Sequence, residues 1–148
     1  MIWTGLALFL LLLCFGVPML LWGRIRKKGR VLEAEMRREL GGALVLISGC
    51  GIISGYSRVP GVLALSRTHL VHRSLVMDCR GKTPLSGIRG FTLESSRSTG
   101  HARARKYRRA VVLEVEAPGS ALPLFVLPEA RAEAWNEALN RLMGLPQP

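Results

Sequence analysis

The residues best suited to chemistry in this chain are cationic. Between Ser95 and Arg109 runs SSRSTGHARARKYRR, where Arg97, Arg103, Arg105, Lys106, Arg108 and Arg109 occur with no acidic residue. Guanidinium groups are planar forks of fixed donors that match phosphate oxygens, and the Tyr107 ring among them suits an interface or a stacked base. The segment is therefore a candidate contact for lipid headgroups or nucleic acid. The plain alternative is a solvated hairpin loop whose charge aids solubility or meets an acidic surface on another subunit. A single aromatic residue and the lack of a nucleic-acid module argue against RNA or DNA.

Other reactive residues are scattered. His69 and His72 stand three apart in a predicted strand, which puts them on opposite faces, so they cannot share a metal without a bulge. Cys79 has no acidic third member at a spacing that would make it a nucleophile or a ligand. The glycines of GCGIISG, at 49, 51 and 55, miss the dinucleotide fingerprint by one residue and precede no evident helix, so they read as turn or bulge positions. Ser48 and the other serines lack a nucleophile-elbow context, and no carboxylate pair falls in an inferable pocket. Cys14, Cys50 and Cys79 are too far apart for a disulfide framework and read as reduced packing residues. The expectation is a non-enzymatic protein with no cofactor and no metal.

The elements that position these residues begin with an apolar run. From Ile2 to Trp22 there is no charged residue, and a helix of that length is about 31 Å long, close to the thickness of the hydrocarbon core. Trp3 and Trp22 bracket the run at interfacial positions, and Pro18 is tolerated near its far end. A cleaved signal peptide would need a basic n-region, which Met1-Ile-Trp-Thr-Gly does not supply. Directly after the run come Arg24, Arg26, Lys27, Lys28 and Arg30, with no basic residue before it. These five are expected to set the orientation, with the N-terminus out and the C-terminal domain in the cytoplasm; that topological role is sufficient to explain them, and attraction of anionic lipid is the lesser alternative.

The chain then divides into a transmembrane helix over 1–23, a basic juxtamembrane and helical linker over 24–41, a folded domain over 42–144 and a short tail over 145–148. VLEAEMRREL, from Val31 to Leu40, predicts a helical continuation or linker helix that ends at Gly41-Gly42 and spaces the domain from the bilayer. Short apolar, β-branched runs follow at 43–48, 61–66, 69–76, 88–94, 110–116 and 122–127, an antiparallel meander. In the fifth run Val111, Leu113 and Val115 alternate with Val112, Glu114 and Glu116, as a half-buried strand requires. Pro128 and Glu129 open a last helix, in which Trp135, Leu139, Leu142 and Met143 share a face and which Gly144 and Pro146 close. Residues 1–109 carry more than the whole formal net charge of +11, since the remainder is net acidic, with Glu114, Glu116, Glu129, Glu133 and Glu137 against Arg131 and Arg141. With 49% hydrophobic residues in 148, there is room for one small domain beside the span.

Gly61-Val-Leu-Ala-Leu-Ser-Arg-Thr-His-Leu-Val, then Pro84-Leu-Ser-Gly-Ile88, then Trp135 in the last helix resemble patterns of the pleckstrin-homology-like superfold. The likeness is to GRAM domains and to the small membrane-anchored PH-like proteins of bacteria, and it covers roughly two-thirds of the chain. The resemblance implies an antiparallel β-barrel or sandwich capped by a C-terminal helix, in a mainly β protein of the bacterial inner (plasma) membrane. PH domains that grip phosphoinositides gather basic residues about the first hairpin loop, and here Gly49 to Pro60 offers only Arg58. The expected role is thus a protein-interaction or assembly module at the membrane, joined to a membrane-protein partner or a second copy. The alternative is an anionic-phospholipid-binding regulator that works through 97–109.

Overall fold

A computed structural model describes residues 2–144; the tail 145–148 and the Trp3 side chain lie outside the described residues. The chain opens as a long helix in three stretches, α1 (Ile2–Leu11), a π-turn over Leu12–Gly16 and α2 (Val17–Leu40). Pro18 has no N–H to give to the preceding turn, and the helix widens there so that Val17 N–H reaches Leu12 O, five residues back. One stretch of it is long and apolar enough to cross a membrane, and none of that stretch is buried in the protein. The helix ends at Gly41, whose φ of 49° suits glycine and whose N–H closes on Arg37 O.

Seven antiparallel strands follow: β1 (Leu44–Ser54), β2 (Ser57–Ser66), β3 (His69–Ser74), β4 (Arg80–Pro84), β5 (Gly90–Ser95), β6 (Ala110–Glu116) and β7 (Leu124–Pro128). They form one sheet in the order β4-β3-β2-β1-β7-β6-β5. β1 holds its two halves together, pairing with β2 along its length and with β7 through Gly51, Ile52 and Ile53. The sequence-predicted strand at 43–48 is therefore only the first half of β1. Glycines 49 and 51 sit inside the strand, and the hairpin turns at Gly55-Tyr56, where Gly55 adopts φ 53°. β4, RGKTP, carries no apolar alternation and was not legible as a strand; its partner β3 defines it through Arg73↔Arg80 to His69↔Pro84.

The expected barrel is not closed: among the described residues β4 and β5 are the two ends of the sheet. The chain between them spends its backbone groups elsewhere. Leu85 N–H bonds to Thr68 O and Arg89 N–H to Glu116 O, so it turns the corner without a ladder.

The final helix, α3 (Ala132–Met143), covers the inner face of the sheet. Ile52, Leu63, Leu65, Leu70, Leu113, Phe125 and Leu127 pack there against Trp135, Ala138 and Leu139. Trp135 is fully buried and its Nε1–H donates to Ser48 Oγ at 3.0 Å, so the one polar atom of the ring is satisfied inside the core. Gly144, at φ 64°, ends the helix with its N–H on Asn140 O.

The outer face is covered too. Met36 of α2, 1% exposed, packs with Leu32 and Leu40 on Ile47, Val62, Ala64 and Val71. Arg73 of β3 adds a two-pronged ion pair to Glu39, at 3.0 and 2.5 Å. The segment expected to space the domain from the bilayer thus forms part of the domain's packing in its second half.

Candidate membrane-contact surface

The basic segment between β5 and β6 is an ordered cover on the other part of the outer face. Ser96 Oγ–H donates to Tyr107 O at 2.6 Å, Thr99 N–H bonds to Ser95 O, and Ala104 N–H to His101 O, so the loop coils into compact turns. Ala104, fully buried, and Tyr107 pack on Ile53, Ala110, Val112 and Val126. Tyr107 lies over Gly51, where a Cβ would stand in ordinary contact, 3.4 Å from the Tyr107 hydroxyl. Tyr107 is thus occupied in packing.

With its small and aromatic residues turned in, the loop turns its charges out, though not to one point. Arg97, Arg105, Lys106, Arg108 and Arg109 are exposed. Arg97 and Arg109 border a concavity that also holds Glu129. Arg105 Nε donates to Thr99 O at 3.1 Å, and Arg103 lies 4.4 Å over the ring of Tyr56 in the β1–β2 turn. Arg109 takes a φ of 51°, and its carbonyl accepts from Glu129 N–H at 3.0 Å. The six residues make a spread positive surface, with no cradle where they converge on one anion.

The second basic group is arranged differently. Arg24, Arg26, Lys27, Lys28 and Arg30 all lie on the unbroken α2. Arg24, Lys27 and Lys28 share the face that continues through Val31, Leu32 and Glu35, while Arg26 folds back over Trp22 at 5.6 Å. That face looks onto the β3–β4 turn. Leu75 of the turn touches the helix at Gly29, where a Cβ would stand 3.6 Å from Leu75 Cδ1.

The turn itself is held from within. Ser74 Oγ accepts from Val76 N–H and Met77 N–H at 3.2 and 3.1 Å, Ser74 N–H bonds to Cys79 O, and Leu75 N–H to Pro60 O. It displays Val76 and Met77, 64% and 52% exposed. It also shares a cleft with Ser54 and Ser57 at the ends of the β1–β2 hairpin, whose Tyr56 is 94% exposed. Sequence reasoning missed these apolar tips, because SLVM reads as the end of a buried strand; the signal available was the following Asp78, which marks a turn.

The remaining reactive residues have structural surroundings. His72 is buried on the inner face, 5.2 Å from Phe125, and burial lowers its pKa; His69 lies on the other face, with Nδ1 2.8 Å from Thr68 Oγ1. Cys50 and Cys79 pack at the edge of the core, and burial pushes the Cys50 thiol far up, away from the reactive thiolate. His101 Nε2 lies 3.0 Å from Glu114 Oε2 at the surface. Among the described residues no three His, Cys, Asp or Glu come together as a metal site.

No family model matches the chain, and no curated protein matches it. Among solved structures it is similar to the C-terminal domain of an unknown protein from Leishmania infantum, with a TM-score of 0.52 and 15% identity over 83% of this chain and 97% of that one. It is also similar to a chain of the 8S snRNP assembly intermediate, with a TM-score of 0.50 and 11% identity over 72% of this chain and 87% of that one. At such identities the likeness is one of fold alone; in this chain that fold is a seven-stranded antiparallel sheet with a C-terminal helix, behind a long apolar helix.

Proposed function

We propose that the chain is a non-enzymatic, single-pass membrane protein, N-terminus out, whose cytoplasmic PH-like domain serves as an assembly module for a neighbouring membrane protein. The observation that carries this reading is the continuity of α2 from the apolar run to Met36, buried against the sheet. A domain joined to its anchor by a rigid, packed helix holds a fixed pose over the leaflet, which suits recognition of a partner in the same plane. The PH-like assignment is supported by the order of seven strands and one closing helix, with Trp135 in the core, and by the GVLALS and PLSGI segments. The orientation rests on the five cations that follow the apolar run.

Anionic-phospholipid binding through 97–109 is a second reading, favoured by the placement of Arg103 on the exposed Tyr56 ring. One experiment separates the two. The full-length protein is isolated from its native membrane in mild detergent, with segment 1–40 as control, and both protein and phospholipid are assayed. The assembly reading expects a stoichiometric partner on the full-length chain that the control lacks. The same proteins on both, with phospholipid retained by the full-length chain alone, would reject it in favour of the second reading.

A further inference from the structure

We infer that the cleft between the middle of α2 and the β3–β4 turn holds the headgroup of an anionic phospholipid of the surrounding leaflet, with Val76 and Met77 entering the interface beside it. The inference rests on the reading of the apolar helix as a span, and it concerns a site outside the 97–109 loop.

Three observations converge on it. The cleft, of about 420 Å³, is lined by Arg24, Lys27, Lys28, Val31 and Leu32 of α2 and by Ser74 and Leu75 of the turn. Glu35 is its one carboxylate, so three cations face one anion. A mostly apolar hollow bordered by basic side chains matches a molecule that is charged at one end and hydrocarbon at the other.

The cleft is also at the right height. Lys27 and Lys28 lie about 6 to 8 Å along the helix axis beyond Gly23, which is the depth of the headgroup layer measured from the end of the hydrocarbon. Finally, the turn that walls the cleft presents two apolar side chains that the protein leaves uncovered, although the turn is ordered by the Ser74 hydroxyl. Exposed Val and Met on a stiff turn next to a cationic cleft suit insertion between lipid headgroups.

The placement of the five juxtamembrane cations supplies a matched control, because Lys27 and Lys28 line the cleft and Arg26 and Arg30 do not. The experiment takes the full-length chain in nanodiscs of phosphatidylcholine with and without phosphatidylglycerol, released into mild detergent, and counts bound phosphatidylglycerol by native mass spectrometry. The wild type is expected to keep one phosphatidylglycerol per chain. Lys27→Gln with Lys28→Gln should weaken its retention about tenfold or more, while Arg26→Gln with Arg30→Gln, an equal loss of charge, should leave it in place. Val76→Ser with Met77→Ser should also weaken retention.

Equal losses in the two charge pairs would overturn the site and leave a diffuse basic collar. Displacement of the lipid by millimolar inorganic phosphate would overturn a lipid occupant in favour of a free anion. Extraction of the wild-type chain from membranes by alkaline carbonate would instead reject the span on which the inference rests. A wild type that stays in the membrane yet keeps no phosphatidylglycerol would reject the cleft alone.

Discussion

His72 shows how one side chain of the inner face ties this fold to pH. Its ring lies against Phe125, and Gly81 opposite it has no room for a side chain, since a Cβ would stand 2.4 Å from His72 Cε1. Burial disfavours the imidazolium, so the folded pKa falls below the ordinary value of 6.5. The folded state then binds fewer protons than the unfolded state between those two pKa values. The contribution is complete above pH 6.5 and is lost as pH falls from there through the folded pKa. The thermal midpoint of the protein is therefore expected to drop between pH 7.5 and 5.5, and His72→Gln is expected to flatten that slope while lowering the midpoint overall; a slope unchanged by the substitution would exclude His72 as its source. Glu39 acts in a lower window. The Arg73 hydrogen bond and charge hold its carboxyl below the ordinary 4.5, so its contribution is lost only as pH falls through that more acid range.

The element that governs this architecture is α2, whose second half doubles as a layer of the domain. Met36 is the centre of that contact, and Met36→Ala is expected to destabilise the domain by about 2 to 5 kcal/mol, read as a fall in the denaturation midpoint. A change of a few tenths would show that the helix merely touches the sheet. How far such features are legible in sequence depends on whether a residue's role is local. The apolar run, the cationic flank, α3 with Trp135 and strand β6 are written in local periodicity, and the structure has elements there. The second half of β1 hides behind Gly49 and Gly51, which read as turn residues until the pairing of the strand with β2 and β7 is seen. β4 is polar because it is a short edge strand, so only its pairing with β3 defines it. The Met36 contact is likewise invisible, since one methionine among charged helix formers gives no sign that a sheet lies over it. The six cations of 97–109 were legible as a charged group, but their dispersal follows from Ala104 and Tyr107 turning inward, a tertiary fact. The apolar turn tips were concealed by their resemblance to strand sequence.

For the molecule as a whole, the sheet is covered on both faces, and part of that cover comes from outside the strand region. A fragment of residues 42–148 lacks α2 and would leave Ile47, Val62, Ala64 and Val71 facing water, all at most 7% exposed in the complete chain. It is expected to self-associate on size exclusion, whereas residues 31–148, which keep Leu32, Met36 and Leu40, are expected to run as a monomer. Identical elution of the two would show that the patch is small enough to be left bare. The unbroken α2 carries a last consequence. From Gly23 to Leu40 it is about 26 Å long, and its far half is fixed to the sheet. An apolar helix longer than the local hydrocarbon thickness tilts, over a range that reaches tens of degrees. Since α2 runs without a joint from the apolar run to the sheet, a tilt of about 10° in a membrane would swing the lower end of α2 by about 4 to 5 Å and turn the sheet through the same angle. In the proposed span, the local thickness of the lipid would thereby become a coordinate of the folded domain, setting which of its surfaces faces a neighbour and which lies against the leaflet.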